Sequence, residues 1–302
     1  RFQTYSDRIG GTFGFKRLQQ EIVKRDVGAE IGKTVIELIT NGKPIKTGSY
    51  DIIIDPAFSG LLAHESFGHM TEADSITSLD SALSDRIGQR FATEMVTIVD
   101  DATYDQGAWN LLDDEGVLGQ KTIILNKGIL ERYMSDRENA YELGTTSTGN
   151  SRAQDYGYPP IVRMTNTAFL PGDHSFEELI EDIKLGIFCK GHAGGEAGNT
   201  GKFSFRSQAS YLIENGELTT PLVNVTLNGN IIEYLGKIDG VGKDFDLSVD
   251  CGFGGCGKSG QRALVGLGGV NLRFRDVKVI GSSMKSMPKG MMKMMMKGMM
   301  KK

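Results

Sequence analysis

The residues best equipped for chemistry stand together in "HESFGH": His64, Glu65 and His69. They include two of the chain's four histidines, bracketing a glutamate in an otherwise apolar segment. Imidazoles bind zinc, and a neighbouring carboxylate can take a proton from water that the ion has acidified. The plain alternative is a pair of unrelated histidines on a core helix, but the grouping around Glu65 favours a metal. The spacing is H-E-x-x-x-H, one residue longer than the H-E-x-x-H of familiar zinc hydrolases. In a regular α-helix, positions i and i+5 point about 140° apart around the axis. The two rings can share an ion only if the helix widens or ends near Gly68. The spacing therefore predicts a π-type turn here. A regular α-helix from Leu61 to Thr71 contradicts a shared ion.

A catalytic zinc usually keeps three protein ligands and one open position. Local candidates for the third are Glu72 and Asp74, in "MTEADS". Either could instead hydrogen-bond a ligand histidine from outside and fix its tautomer. The distant candidates are Cys251 and Cys256, in "CGFGGCGKSGQ", whose glycines let backbone approach an ion closely. This stretch also fits the phosphate-loop pattern G-x-x-x-x-G-K-[ST] from Gly252 to Ser259. A phosphate loop needs a helix after it, and Gly266, Gly268 and Gly269 weaken any helix there. About 40 residues of the body remain beyond it, too few for a nucleotide-binding domain. A rival use of the cysteines is a structural Cys₃His zinc site, with Cys189 and His192 of "CKGH" joining Cys251 and Cys256. Spacing alone leaves it open.

These groups must be positioned by elements that the pattern outlines. "DIIIDP" (51–56) reads as a buried strand, with Asp55 as N-cap and Pro56 opening a helix of about four turns that carries the histidines. "FATEMVTIVDD", "VLGQKTIILNKGILERYMSD" and "PPIVRMTNTAFL" read as strands. "SFEELIEDIKLGIFCK" (175–190) reads as a helix with a Ser175/Glu178 capping box. Beyond residue 200 hairpin signals accumulate: "ENGE" between two strands, "NGN" after "VTL", and a last strand "NLRFRDVKVIG". The expected class is α+β, a largely antiparallel β-sheet domain with one metal-ligand helix. Residues 1–281 form that domain. Residues 282–302 form a Met/Lys-rich tail, holding nine of 13 methionines, kept apart from the fold.

Composition narrows the function. The chain has 302 residues and 40 glycines, about 13% against a usual ~7%, which calls for many turns and close backbone approaches. Net charge is −4, and about −10 without the six tail lysines, which argues against nucleic acid as a partner. Three cysteines make no disulfide framework and suit a reducing, cytoplasmic compartment. No apolar run is long enough to span a membrane and no signal peptide is evident, so membrane association is not expected. The first residue is Arg1, which suits a trimmed product or a piece of a longer polypeptide.

The combination resembles the TldD/PmbA family of peptidases. "HESFGHMTEAD" is similar to that family's H-E-x-x-x-H segment, and "CGKSGQ" (256–261) to its C-terminal cysteine motif. "DDEGVLG", "TSTGNSRA" and "GKFSFRSQASYLIENGEL" are also similar to family blocks. The resemblance spans roughly residues 1–281. It implies a zinc ion held by His64, His69 and Cys256, with Glu65 as the catalytic carboxylate. Cys256 is favoured over Cys251 because it opens the matching motif. Three departures stand out. Members usually carry an N-terminal α/β domain before this region. The usual Gly-Gly-Pro appears as Gly268-Gly269-Val270. The tail lies beyond the family's normal end.

Family members that keep H-E-x-x-x-H cut peptides, and paralogues lacking it act as non-catalytic subunits. With His64, Glu65 and His69 all present, this chain resembles the catalytic kind. The implied activity is zinc-dependent hydrolysis of short or unfolded peptides. The implied assembly is a homodimer, or a heterodimer with a non-catalytic PmbA/TldE-like paralogue. The alternatives are a non-catalytic subunit of a peptidase complex and a binding module with the structural Cys₃His zinc. Arg152, in "TGNSRA", reads as half of a surface ion pair, with a substrate carboxylate as its other possible partner.

Overall fold

The computed structural model describes residues 2–16, 19–20, 22, 26–105, 107–250 and 255–281, with backbone alone at 196 and 248–250. Cys251 and the 282–302 tail lie outside the described residues. In chain order the first strands are β1 (Lys43–Pro44), β2 (Gly48–Ile54), β3 (Ile98–Asp101), β4 (Lys121–Asn126), β5 (Ile129–Leu130), β6 (Ser151–Arg152), β7 (Ile161–Val162) and β8 (Asn166–Phe169). They continue with β9 (Leu185–Ala197), β10 (Lys202–Glu214), β11 (Glu217–Val223), β12 (Thr226–Asn230) and β13 (Ile238–Val241). The last are β14 (Asp246–Asp250), β15 (Cys256–Lys258), β16 (Gln261–Ala263), β17 (Val265–Gly269) and β18 (Leu272–Ile280). Helices are few and mostly short: α1 (Val27–Asn41), α2 (Pro56–Leu62), α3 (Ala73–Thr77), α4 (Arg137–Glu142), α5 (Phe176–Ile180) and α6 (Ile231–Leu235).

The expected α+β, mainly antiparallel class holds. The larger sheet runs β1-β11-β10-β12-β18-β2-β9, and β9 also pairs with β10. Its hydrogen bonds therefore return on themselves through β2, β9, β10, β12 and β18, a partly closed barrel that covers most of its edges. A second sheet runs β14-β17-β8-β3-β4-β5. Among the described strands, parallel pairing is confined to β1–β11, β2–β9 and β8–β17. The expected hairpin at "ENGE" forms between β10 and β11, with Asn215 and Gly216 at φ 52° and 80°, the left-handed pair a tight hairpin needs.

Two expectations are corrected. Only Phe176–Ile180 of the 175–190 stretch is helical, behind the anticipated Ser175/Glu178 capping box. Residues 185–190 belong to β9, which is paired parallel to β2 and antiparallel to β10. A strand flanked on both edges and buried reads as a continuous apolar run, which periodicity does not distinguish from a buried helix. "NGN" makes no turn but lies within β12, where Asn230 caps α6; the turn before β12 falls at Asn224, φ 58°. Helix α1 was not anticipated, because Gly28, Gly32 and its β-branched residues are weak helix formers.

The strand 51–54 is as buried as its sequence promised, with Ile52, Ile53 and Ile54 fully enclosed. It leads straight into the ligand helix. Asp55 accepts from the Phe58 N–H as N-cap, Pro56 opens α2, and the Asp55 carboxylate also takes the Gly191 N–H from β9. Helix α2 lies against β17 at very short range. A Cβ on Gly269 would stand 2.1 Å from Ser59 Oγ and 2.4 Å from the Pro56 carbonyl oxygen. Ser59 Oγ donates to the Val270 carbonyl (2.7 Å) and accepts from the Val270 N–H (3.1 Å). The second bond needs the N–H that a proline at position 270 would lack.

Candidate metal centre

Past Leu62 the helix does not stay α. Residues Ala63–Gly68 form one widened π turn, and His69 comes directly after it. This is the distortion that H-E-x-x-x-H demanded. It brings the rings of His64 and His69 to 5.0 Å between centroids, at 76° to one another. Phe67, fully buried, packs edge-on against Phe91 and pins the turn to the core. A Cβ on Gly68 would meet Met164 Sδ at 2.2 Å, so any larger residue there would have to push the Met164 side chain aside.

Cys256 arrives from the opposite end of the chain on a tight hairpin, β15–β16, turning through Ser259 and Gly260 at φ 50° and 75°. Its Sγ lies 3.3 Å from His69 Nε2. One ligand atom each from His64, His69 and Cys256 lie within 4.8 Å of one another. Ligands of a tetrahedral zinc at ~2.0 Å (N) and ~2.3 Å (S) stand roughly 3.5 Å apart, so this cluster is of the right size. Its chemistry fits as well. His64 is buried, and burial, helped by His69, Arg163 and His192, holds its pKa well below the imidazole range, leaving the neutral form that binds metals. Its Nδ1 is buried with no hydrogen-bond partner. Two imidazoles and a thiol, with one buried nitrogen unsatisfied, suit a borderline-soft divalent ion.

His69 Nδ1 lies 2.9 Å from Glu72 Oε2, which leaves Nε2 facing Cys256. Burial disfavours charge on His69, but Glu72 and Cys256 outweigh it and raise its pKa well above the ordinary value. Glu72 is 1% exposed. Burial pushes its pKa up, and His69 and Lys258 overcome that to hold it low. Of the two acidic candidates, Glu72 is thus the carboxylate that holds a histidine, whereas Asp74 pairs with Lys258 (2.6 Å).

Residues 47–281 match the family described as "PmbA/TldA metallopeptidase C-terminal domain". The chain belongs to the TldD/PmbA family. It is 42% identical over 275 residues to a protein of Methanothermobacter thermautotrophicus named "Metalloprotease", covering 90% of this chain and 59% of that protein. It is 37% identical over 255 residues to the "Zinc metalloprotease TldD homolog" of Saccharolobus solfataricus, covering 84% and 56%. The TldD/PmbA region in hand thus spans less than two thirds of the length of these relatives. In fold it is similar to TldE from Thermococcus kodakarensis, with a TM-score of 0.69, 22% identity, and coverage of 85% of this chain and 56% of that one.

The remaining sequence expectations fare differently in this TldD/PmbA chain. Glu65 is half-buried on the π turn, directly after His64. The phosphate-loop reading fails on context: β14 precedes the segment as such a loop needs, but the β15–β16 hairpin stands where the helix would have to start. The Cys₃His reading finds no support among the described residues. Cys189 is fully enclosed in β9, its thiol pushed up to about 12 by burial, and the group that gathers is His64, His69 and Cys256. Its fourth member, Cys251, lies outside the described residues. Arg152 is not the surface residue expected. It is half-buried, donates to the Met164 carbonyl, and burial lowers its pKa.

Two neighbours of the site escaped the sequence reading. Arg163, 1% exposed, donates through Nη2 to the Cys256 carbonyl and fixes the base of the cysteine hairpin. A lone arginine in the apolar run "PPIVRMTN" was the available signal. Buried Asp100 accepts from the Thr165 N–H and hydroxyl, from Asn150 and from Thr167, and so anchors the segment next to Arg163. Nothing in its local pattern marked it.

Proposed function

We propose that this chain carries the catalytic centre of a zinc-dependent peptidase, with His64, His69 and Cys256 holding the ion and Glu65 acting as general base. The observation that carries the reading is the π turn. It places two histidines five residues apart on one side of the helix, within reach of a sulfur from the far end of the chain. Held by these three residues, a zinc ion would supply Lewis acidity for acidifying water and polarising a carbonyl. Glu65 takes the proton of the attacking water and passes it to the leaving amine. Glu72 lies against Nδ1 of His69 and would fix the tautomer that leaves Nε2 free to hold the ion. Arg163 holds the Cys256 backbone so that the sulfur comes to the same place.

The names of the relatives, metalloprotease and zinc metalloprotease, support this reading. We take residues 1–281 as one catalytic domain and 282–302 as an appendage to it. The substrates are short or unfolded peptides, and the working assembly is a homodimer or a heterodimer with a TldE-like, non-catalytic paralogue. Both described cysteines are free, which suits a reducing, cytoplasmic setting. Among the described residues no helix is long and apolar enough to cross a membrane.

Glu65→Gln removes the base while leaving the ligand set whole. It should lower peptide cleavage by about 10²–10⁴-fold with zinc still bound at one ion per chain. Zinc content is read by elemental analysis and cleavage by mass spectrometry of a peptide mixture. Undiminished cleavage by the Gln variant would sink the base assignment. A wild-type chain that binds zinc yet cuts nothing, with a paralogue present, would favour the non-catalytic subunit.

A further inference from the structure

Lys258 is the lysine of the G-K-S sequence that imitates a phosphate loop, and the metal chemistry above leaves it unused. In the structure it is 16% exposed and faces inward. Its Nζ lies 3.1 Å from Glu72 Oε2 and 2.6 Å from Asp74 Oδ2, and donates to the Val162 carbonyl at 3.0 Å. These partners come from three places: the stretch after the ligand helix, the first turn of α3, and β7. Lys258 itself sits two residues from Cys256 on β15. The hairpin and the ligand helix are therefore joined twice, once through Cys256 and His69, and once through Lys258 and Glu72.

A single oxygen, Glu72 Oε2, serves both His69 Nδ1 and Lys258 Nζ, while Oε1 is buried without a hydrogen-bond partner. A carboxylate this deeply enclosed is costly unless a cation pairs with it. Lys258 supplies that cation and holds the oxygen where His69 needs it. We propose that Lys258 is a positioning residue, a clamp that docks the cysteine hairpin on the ligand helix and keeps Glu72 on His69, so that the metal site is assembled before an ion enters. The proposal rests on the reading of His64, His69 and Cys256 as metal ligands.

The test is zinc affinity, measured by competition with a chromophoric chelator, in the whole chain stripped of metal and reloaded. Lys258→Met should weaken zinc binding about 10–100-fold, the range seen when outer-shell partners of ligands are lost. Lys258→Arg, which keeps a cation for Glu72 and Asp74, should recover most of that loss. In a Glu72→Gln background, Lys258→Met should cost clearly less affinity than it does in wild type, because the part of the clamp that acts through Glu72 is already gone and only the hold on Asp74 and the Val162 carbonyl remains. If the Met variant does not fold, Lys258→Gln, which keeps a donor for the Val162 carbonyl, takes its place. Unchanged zinc affinity in Lys258→Met, or losses that multiply in the double variant, overturn the clamp and leave the metal centre standing. Zinc binding that survives His64→Ala and Cys256→Ser together overturns the metal centre itself, and the clamp with it.

Discussion

A thiol reacts as its thiolate, so solvent access and local charge decide whether a cysteine can serve a site. The two described cysteines differ on both counts. Cys189 is enclosed between β2 and β10, and burial pushes its thiol up to about 12, where almost none is ionised near neutrality. Cys256 is half-buried and faces His69. In metal-free protein, iodoacetamide should therefore modify Cys256 and leave Cys189 untouched, and added zinc should protect Cys256. Peptide mapping by mass spectrometry reads both outcomes, and native-state labelling of Cys189 would contradict this account of β9. His64, His69, Cys256 and Glu72 were all singled out, and the structure brings them together. Arg163 and Lys258 were missed as parts of the site because their roles come from partners far away in the chain.

The element that makes the site is a single widened turn, and its neighbours are cut to fit it. Helix α2 can approach β17 only because Gly269 has no side chain. Gly269→Ala would drive a Cβ into Ser59 Oγ and the Pro56 carbonyl, and the backbone oxygen cannot swing aside. The helix would have to lift off the strand, at a cost of about 1–3 kcal/mol. Thermal unfolding should show a lower midpoint for this variant, and its zinc affinity should fall because the same helix carries His64. A midpoint equal to wild type would show that the packing is looser than described. The π turn was legible in advance, since five-residue spacing and a shared ion allow little else. The fate of 175–190 was not. Its capping box is genuine but governs only five residues, and the conformation of 185–190 is fixed by the strands beside it.

Across the whole molecule, the partly closed barrel is tied by charge as well as by hydrogen bonds. Arg273 and Arg275 on β18 reach Asp239 on β13, Asp182 beyond α5 and, from Arg275, Asp51 on β2. Partial burial pushes the Asp239 pKa up, but the two arginines outweigh it and hold it below the ordinary carboxylate value. A carboxyl whose pKa is lower folded than unfolded adds stability above the unfolded pKa, and that stability is lost as pH falls through the folded one. Asp239→Asn should thus destabilise the protein by about 1 kcal/mol at neutral pH, a modest figure because the pair is partly solvated. The difference from wild type should begin to shrink below about pH 4, where the unfolded carboxyl takes up its proton first, and go on shrinking as pH falls through the lower folded pKa. Urea unfolding at pH 7 and pH 3 checks this, and an equal difference at both would rule out the ionic origin.

The sequence alone picked out the two imidazoles, the distorted helix they need if they share an ion, and the strand-then-helix frame that carries them. These are local matters, set by spacing and by residues within a few turns of one another. Only the tertiary structure decided that Cys256 meets His69, that Glu72 and not Asp74 holds the histidine, and that Lys258 bridges the two. Cys256 and His69 are 187 residues apart in the chain. Their meeting depends on how β15–β16, β7 and the ligand helix are stacked by pairings and burial that no local window contains.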